Sequence, residues 1–318
     1  MSQRTSPAPM GGVAVALTLL TCALWGGNPT AASFTLETLP PIAIAGIRFA
    51  MATVVMFFWC VVARDPILLH RRQVLPVLIA GLLLFVQIAT FNLGVWLSNA
   101  SHTSMLLNTF VFWVLLLEHF FTRADRITAP KLVGMLIAAA GVSVLLLSRN
   151  EGIDLEHESR RQLLGDLILL FSAVMLAFKF IYVKHAVKTV PPGTLIFWHD
   201  VVGVVLFAVV SLGWEQVSWS DFTTVTWLGL LYQGLLVAGL CFGLQAVLLR
   251  KHSATQIAIF SFSTPLFGVA AAVLLLDEPA TWQLGVAAVS VAAGITLVNW
   301  RWSVRSEGNS PSDEQTVT

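Results

Sequence analysis

Apolar runs of membrane length, parted only by short polar gaps, constrain this chain more than any other feature. They lie at about 11–34, 41–63, 74–97, 101–121, 130–148, 163–184, 192–213, 225–248, 254–276 and 281–300. About twenty apolar residues cross the hydrocarbon core of a bilayer as a helix. Of the 318 residues, 57% are hydrophobic and 11% charged, with a mean hydropathy of +0.81. A soluble domain carries about a quarter charged residues, so lipid is the only solvent that accepts this chain. Within lipid the backbone must satisfy its own hydrogen bonds, which leaves helices or a closed barrel. Barrel strands alternate apolar and polar residues, whereas these runs are continuous. The expected fold is an all-α integral membrane protein with ten transmembrane helices.

The stretch from Arg149 to Gln162 divides the runs into five and five. It carries Arg149, Glu151, Asp154, Glu156, Glu158, Arg160 and Arg161 with no apolar period, and reads as a polar linker over 149–162. Five is odd, so a second unit of five spans enters the membrane from the opposite face. This predicts two inverted five-helix repeats, 11–148 and 163–300, a layout found in many secondary transporters. A shift of about 150 residues places Pro40-Pro41 on Pro191-Pro192, Arg48 on His199, Gly81 on Gly234, Asn92 on Gln245 and Gly141 on Gly294. The polar residues over 301–318 predict a disordered cytoplasmic tail.

Lys and Arg are retained on the cytoplasmic side of spans. With the N-terminus inside, the inner segments hold Arg4, Arg64, Arg71, Arg72, Arg123, Arg126, Lys131, Lys184, Lys188, Arg250, Lys251, Arg301 and Arg305. The outside holds only Arg149, Arg160 and Arg161, so both termini are expected in the cytoplasm. Trp59, Trp96, Trp214, Trp219, Trp282 and Trp300 fall near span ends, as an aromatic belt does. The first run is too long for a signal-peptide core and is expected to be a retained span. Cys22, Cys60 and Cys241 all sit in apolar runs, an odd set that predicts neither disulfides nor a metal site. A net charge of +1 without a basic face argues against nucleic acid as a partner. The partners left are a small-molecule substrate, the lipid bilayer and a second copy of the chain in a homodimer. No cofactor is expected.

In such a chain the polar residues at depth are the informative ones. Arg48 lies about eight residues into the second span, roughly 12 Å deep at 1.5 Å per residue. It is either a planar anchor for a substrate carboxylate or a structural pair between helices. His199 and Asp200 sit at the mirrored depth of the seventh span. Asp200 is a candidate proton carrier, or else the partner of a fixed cation. Glu118 and Lys179 lie toward the cytoplasmic ends of the fourth and sixth spans, within snorkelling reach of the interface, as a candidate gate or a static pair. Pro29 removes a helix donor after two glycines, which makes 25–29 a weak point. There Trp25 and Asn28 face the pathway, or the glycines serve close helix packing. Asn92 and Gln245 match under the repeat and are candidates for a shared central site. Gln87, Asn108, Tyr232 and Gln233 are further uncharged hydrogen-bonding groups at depth. Trp25, Trp113, Trp198, Phe91 and Phe260 are expected to supply aromatic walls.

Three motifs carry a resemblance. They are Trp25-Gly26-Gly27-Asn28-Pro29, Arg48-Phe49, and Thr264-Pro265-Leu266-Phe267 followed by Leu276-Asp277-Glu278-Pro279. Together they resemble the EamA-type branch of the drug/metabolite transporter superfamily, from about Val13 to Asn299. The first half departs from the pattern: Val111 stands where the family often has Pro, and Arg123-Ala124-Asp125-Arg126 where it has an acidic turn. The resemblance implies a ten-helix transporter with a central pathway between inverted halves. It leaves the substrate open among amino acids, nucleotide precursors, drugs and other metabolites. The expectation is a secondary transporter exporting small amphipathic metabolites such as amino acids, set in a bacterial inner (plasma) membrane. The competing classes are an intramembrane enzyme and a channel or receptor scaffold. The chain has no His-Glu-x-x-His, Gly-x-Ser-x-Gly or Gly-x-x-x-x-Gly-Lys motif to support hydrolysis or ATP drive.

Overall fold

A computed structural model describes residues 10–118, scattered positions between 132 and 144, and 155–290 apart from 253, 255, 256, 258, 259 and 262, with 292, 293 and 297 beyond. Most of the expected fifth span, the first part of the linker and the tail lie outside the described residues. So do Asp125 and Gly294, with their expected roles in the repeat.

Among the described residues the regular structure is all helical. The first span is split into α1 (Gly12–Gly26) and α2 (Asn28–Leu36). Two long helices follow, α3 (Pro41–Ala63) and α4 (Arg71–Leu97). The fourth span is again split, into α5 (Ala100–Asn108) and α6 (Phe110–Leu117), at Thr109. The second half begins with α7 (Leu155–Ala186) and α8 (Pro192–Trp214). Next come α9 (Thr224–Leu231), a π-helical stretch (Tyr232–Cys241) and α10 (Phe242–Lys251) in one continuous span. The helix α11 (Ser263–Leu275) and helical residues at 282–290 close the described chain. Seven of these spans are long and apolar enough to cross a membrane, so the chain is a helical membrane protein.

Local chemistry sets the boundaries. Pro41 and Pro192 open α3 and α8 at the first helical turn, where the missing N–H is no loss. Arg64 and Asp277 take left-handed backbone, with φ of 57° and 52°, and turn the chain sharply after α3 and after α11. Asn99 caps α5 by accepting from the His102 N–H at 2.8 Å. The end of the polar 149–162 segment is helical. The helix α7 begins at Leu155, so the expected start at 163 falls inside it. Leu, Glu, Arg and Gln are strong helix formers, and polarity alone does not end a helix that is nucleated in the membrane.

The packing turns a soluble protein inside out. Val62, Leu212, Leu68, Leu274 and Phe58 are exposed, whereas Arg48, Asp200, Gln233, Asn92 and Thr194 are buried. In lipid an apolar exterior costs nothing, and helices associate through close contact and polar bonds. The helix α3 lies along α8, and α4 packs on both α7 and α8. The π-helical stretch packs on α3 and α1, while α1 and α5 both pack on α11. The main buried cluster, around Phe49, Phe207, Leu84 and Phe242, sits where these elements meet.

Carboxylates tie the ends across the two halves. Glu215, after α8, accepts from the Ile42 and Ala43 N–H groups of α3 at 2.9 and 2.8 Å. Asp65, after α3, accepts from the Gly193 N–H of α8 at 2.9 Å. Glu278, after α11, accepts from the Ala100 and Ser101 N–H groups of α5 at 2.9 and 3.0 Å. Each places a negative charge on the open, partly positive end of a helix. Asp166 of α7 adds a fourth tie, to Ser98 Oγ at 2.5 Å and His102 Nδ1 at 2.9 Å.

Candidate functional site

The break between α1 and α2 begins the site. Pro29 has no N–H, so the Trp25 carbonyl loses its helical donor. One residue earlier, the Leu24 carbonyl accepts from the Tyr232 hydroxyl at 2.6 Å, which stitches the π-helical stretch to the break. A Cβ on residue 27 would stand 2.6 Å from that hydroxyl, so the bond requires glycine there. Gly26 is equally confined: a Cβ would lie 2.6 Å from Phe267 Cβ of α11. The two glycines therefore serve packing, while Trp25, Asn28 and Pro29 line a cavity.

That cavity has about 720 Å³ of empty volume, counting the space that opens outward. One wall comes from α4 through Gln87, Ile88 and Phe91, a face repeating at helical spacing. Phe110, Phe180, Phe242 and Trp25 supply aromatic surface, and Leu107, Leu176 and Val237 aliphatic surface. The polar points are Asn28, Arg48, Gln87, Ser104, Asn108, Gln245, Ser261 and Thr264. Residues from both halves of the chain thus face one space, mostly apolar with a few polar groups, as small-molecule sites are.

Arg48 is 1% exposed. One guanidinium nitrogen, Nη1, donates to Gln233 Oε1 at 3.2 Å, and the Gln233 amide in turn bonds the Thr35 hydroxyl at 3.1 Å and the Ala31 carbonyl at 3.2 Å. The Arg48 Nε has no hydrogen-bond partner. Behind the wall lies Lys179, 4% exposed, whose Nζ donates to Gln87 Oε1 at 2.8 Å and stands 4.4 Å from the Phe242 ring centre. Asp200 is fully buried, with His199 Nδ1 2.8 Å from its Oδ1. That contact lacks hydrogen-bond alignment, and His199 Nδ1 also lies 3.2 Å from the Ile196 carbonyl. Arg48, Lys179 and Asp200 are close enough to act on one another electrostatically. Two basic side chains and one carboxyl group are therefore gathered beside the cavity.

The sequence candidates divide on this geometry. Trp25, Asn28, Arg48 and Gln245 border the cavity together. His199 and Asp200 stand behind it, with the His199 ring edge-on to Phe49 and Phe242 at 6.4 and 5.9 Å. Contiguous residues on a helix need not share a partner, yet these two touch each other. Asn92 does not border the cavity. Its amide donates to the Pro41 carbonyl at 2.7 Å, because it sits one residue, and so about 100° of helix, from the cavity-facing Phe91. Lys179 is turned inward on Gln87 rather than held within snorkelling reach of the interface. The reason is that Gln87 and the Phe242 face offer a partner inside the bundle. Glu118 is 9% exposed at the end of α6 and acts electrostatically on Lys184, which donates to the Leu249 carbonyl at 2.6 Å and to that of His252. Of the expected aromatic walls, Trp25 and Phe91 are present, whereas Trp198 donates to the Ile67 carbonyl at 2.7 Å away from the cavity. Ser104, Ser261 and Thr264 were not singled out as site residues. Small hydroxyls in apolar helices are common, and only their convergence in space distinguishes them.

A bundle of membrane-length helices around a polar-edged cavity defines a polytopic membrane protein able to enclose a small molecule. The chain belongs to the EamA-like transporter family, whose sequence pattern matches residues 12–147 and 163–300. It is similar to a probable amino-acid metabolite efflux pump of Escherichia coli (strain K12), 27% identical over 310 residues, covering 91% of this chain and 97% of that one. A protein of the same description from Salmonella typhimurium is 25% identical over 299 residues, covering 91% and 95%. A crystal structure at 17% identity shares the fold with a TM-score of 0.69, covering 95% of this chain and 100% of that one. Family membership and the apolar spans together make this chain a membrane transporter.

Proposed function

We propose that the chain is a secondary transporter that exports small amphipathic metabolites such as amino acids, by alternating access through the cavity described above. One observation carries the reading: Arg48, deep in a bilayer-spanning helix, borders an aromatic-walled space and keeps an unpartnered N–H. A guanidinium in that setting is a carboxylate anchor, and the surrounding rings fit an apolar body. The description of the Escherichia coli relative as an amino-acid metabolite efflux pump agrees with this chemistry.

In this reading the chain has ten spans in two inverted repeats, 11–148 and 163–300, with both termini in the cytoplasm of a bacterial inner membrane. The exchange of caps supports the inversion: Glu215 of the second half closes the start of α3, and Asp65 of the first closes the start of α8. A pseudo-two-fold axis relating α3 to α8 generates one from the other. Asp200 is the proposed proton carrier, since a buried carboxylate beside His199 and Lys179 changes its surroundings when the helices move. Glu118, beside Lys184, acts in the closing of the cytoplasmic side.

Purified protein in liposomes tests the reading. Loading with radiolabelled amino acids should give flux that unlabelled substrate competes away and that a proton gradient alters. Protein-free liposomes set the background. Flux at background for a broad panel of amphipathic metabolites, from protein shown to be folded, would refute transport by this route.

A further inference from the structure

The cavity carries a polar set that the carboxylate anchor does not use. Asn28 Oδ1, Ser104 Oγ and Thr264 Oγ1 are buried and without hydrogen-bond partners, and all three residues border the cavity. The three residues are buried from the outer surface, with exposures of 7%, 3% and 8%. An unsatisfied buried polar atom costs about 1–3 kcal/mol, so several on one surface mark a place where something else supplies the bonds. They converge because α2, α5 and α11 pack mutually. A Cβ on Gly26 would lie 2.8 Å from the Thr264 carbonyl, and Gly268 lies against Ser104. The thiol of Cys22 is the neighbour of Thr264, a weak hydrogen-bonding group. Arg48 belongs to a different wall, where α3 meets the π-helical stretch.

The charge balance adds a second, independent constraint. Two basic groups, Arg48 and Lys179, stand beside the cavity against the single carboxylate of Asp200. Among the described residues, no carboxylate lines the cavity. A ligand that carries its own ammonium group would bring a second positive charge to a space with no acidic group to meet it. A ligand that carries a single negative charge would cancel the surplus. In low dielectric an uncompensated charge is the most costly thing a site can hold.

We propose that this cavity selects monoanionic amphipathic carboxylates whose second polar group is neutral, a hydroxyl or an acylated amine, over free zwitterions and amines. The carboxylate takes Arg48, the apolar body lies among Trp25, Phe91 and Phe242, and the neutral group takes Asn28, Ser104 and Thr264. This rests on the reading of the cavity as the transport site, and it moves the preferred substrate from free amino acids to amphipathic carboxylates without a charged amine.

The test is a matched series on the full-length protein in detergent and in liposomes: phenyllactate, N-acetylphenylalanine, phenylpropionate, phenylalanine and phenethylamine. Binding is followed by quenching of tryptophan fluorescence, since Trp25 lines the cavity, and by competition for flux. Phenyllactate and N-acetylphenylalanine should bind about tenfold more tightly than phenylalanine, and phenethylamine more weakly still. Phenylpropionate, which lacks the second polar group, should fall about tenfold below phenyllactate, the effect of one lost buried hydrogen bond. Ser104→Ala should narrow the phenyllactate to phenylpropionate ratio to within about threefold. Phenylalanine binding as tightly as phenyllactate would overturn the charge argument and leave the transport reading standing. Equal binding of phenyllactate and phenylpropionate by the native protein would overturn the role of the polar set. If no member of the series or of the wider metabolite panel binds or is moved, both readings fall together.

Discussion

At the scale of single residues, the buried ionic group decides most. Arg48, Lys179 and Asp200 are each at most 4% exposed, and each balances another. Removing one member of such a set strands its partner, whereas removing two of opposite sign need not. Lys179→Met and Asp200→Asn should therefore each lower the melting temperature in detergent, with a loss of about 3 kcal/mol apiece. The double variant should lose less than the sum by more than about 1 kcal/mol. Strict additivity in the unfolding curves would show that the two do not interact. The Arg48 guanidinium offers a second test at this scale. Arg48→Lys should impair flux of a carboxylate substrate, because an ammonium does not reproduce the planar fork. Arg48→Gln should impair it roughly tenfold to a hundredfold. Membrane levels of each variant are checked by fluorescence of a fused reporter. A well-inserted Arg48→Gln protein with native affinity for carboxylates and neutral compounds alike would reduce Arg48 to a packing role.

At the scale of elements, contacts between helix ends and breaks within helices do the organising. Glu215 on α3, Asp65 on α8 and Glu278 on α5 are partly buried carboxylates that each close a helix N-terminus. Glu215→Gln and Asp65→Asn should each cost about 0.5–2 kcal/mol, the range for lost caps and dipole contacts. The loss should shrink in high salt for Asp65 and Glu215 alike. No change in unfolding on either substitution would mean that water replaces the cap without cost. The break in the first span rests on one small residue. Gly27→Ala should disturb the Tyr232 contact with the Leu24 carbonyl, and Tyr232→Phe in the same protein should restore part of the stability by removing the clashing oxygen. A double variant no more stable than Gly27→Ala alone would place the strain elsewhere.

At the scale of the whole molecule, orientation is the testable quantity. The Lys and Arg distribution predicts the turn after α3 in the cytoplasm and the turn after α8 outside. Leu68 is 84% exposed in the first of these turns, and Gln216 is exposed in the second. With Cys22, Cys60 and Cys241 replaced, single cysteines at 68 and 216 report the topology through an impermeant thiol reagent. In intact cells position 216 should label and position 68 should label only after the membrane is opened. The reverse pattern would invert the expected topology.

What the sequence determined is what depends on solvent and on local chain chemistry. The apolar runs dictated helices in lipid, Pro41 and Pro192 marked two helix starts to the residue, and the motif at 25–29 marked a break. Arg48 stood out because a charge at depth needs a partner, and it has one in Gln233. Gln245 and Asn28 likewise reached the cavity. Tertiary structure alone decided the rest. Asn92 and Phe91 are neighbours in sequence, but one bonds Pro41 and the other faces the cavity, a choice set by the rotation of α4 against α3. Lys179 read as interfacial because depth was counted along its own helix. It turned inward because Gln87 and Phe242 come to meet it from two other helices. Ser104 and Thr264 are 160 positions apart and unremarkable in either run, and only the packing of α5 on α11 makes them neighbours across a shared space. Hydropathy is a property of each segment taken separately, so a sequence can reveal it. A site is a property of which faces meet, and that is fixed by packing between segments distant in the chain.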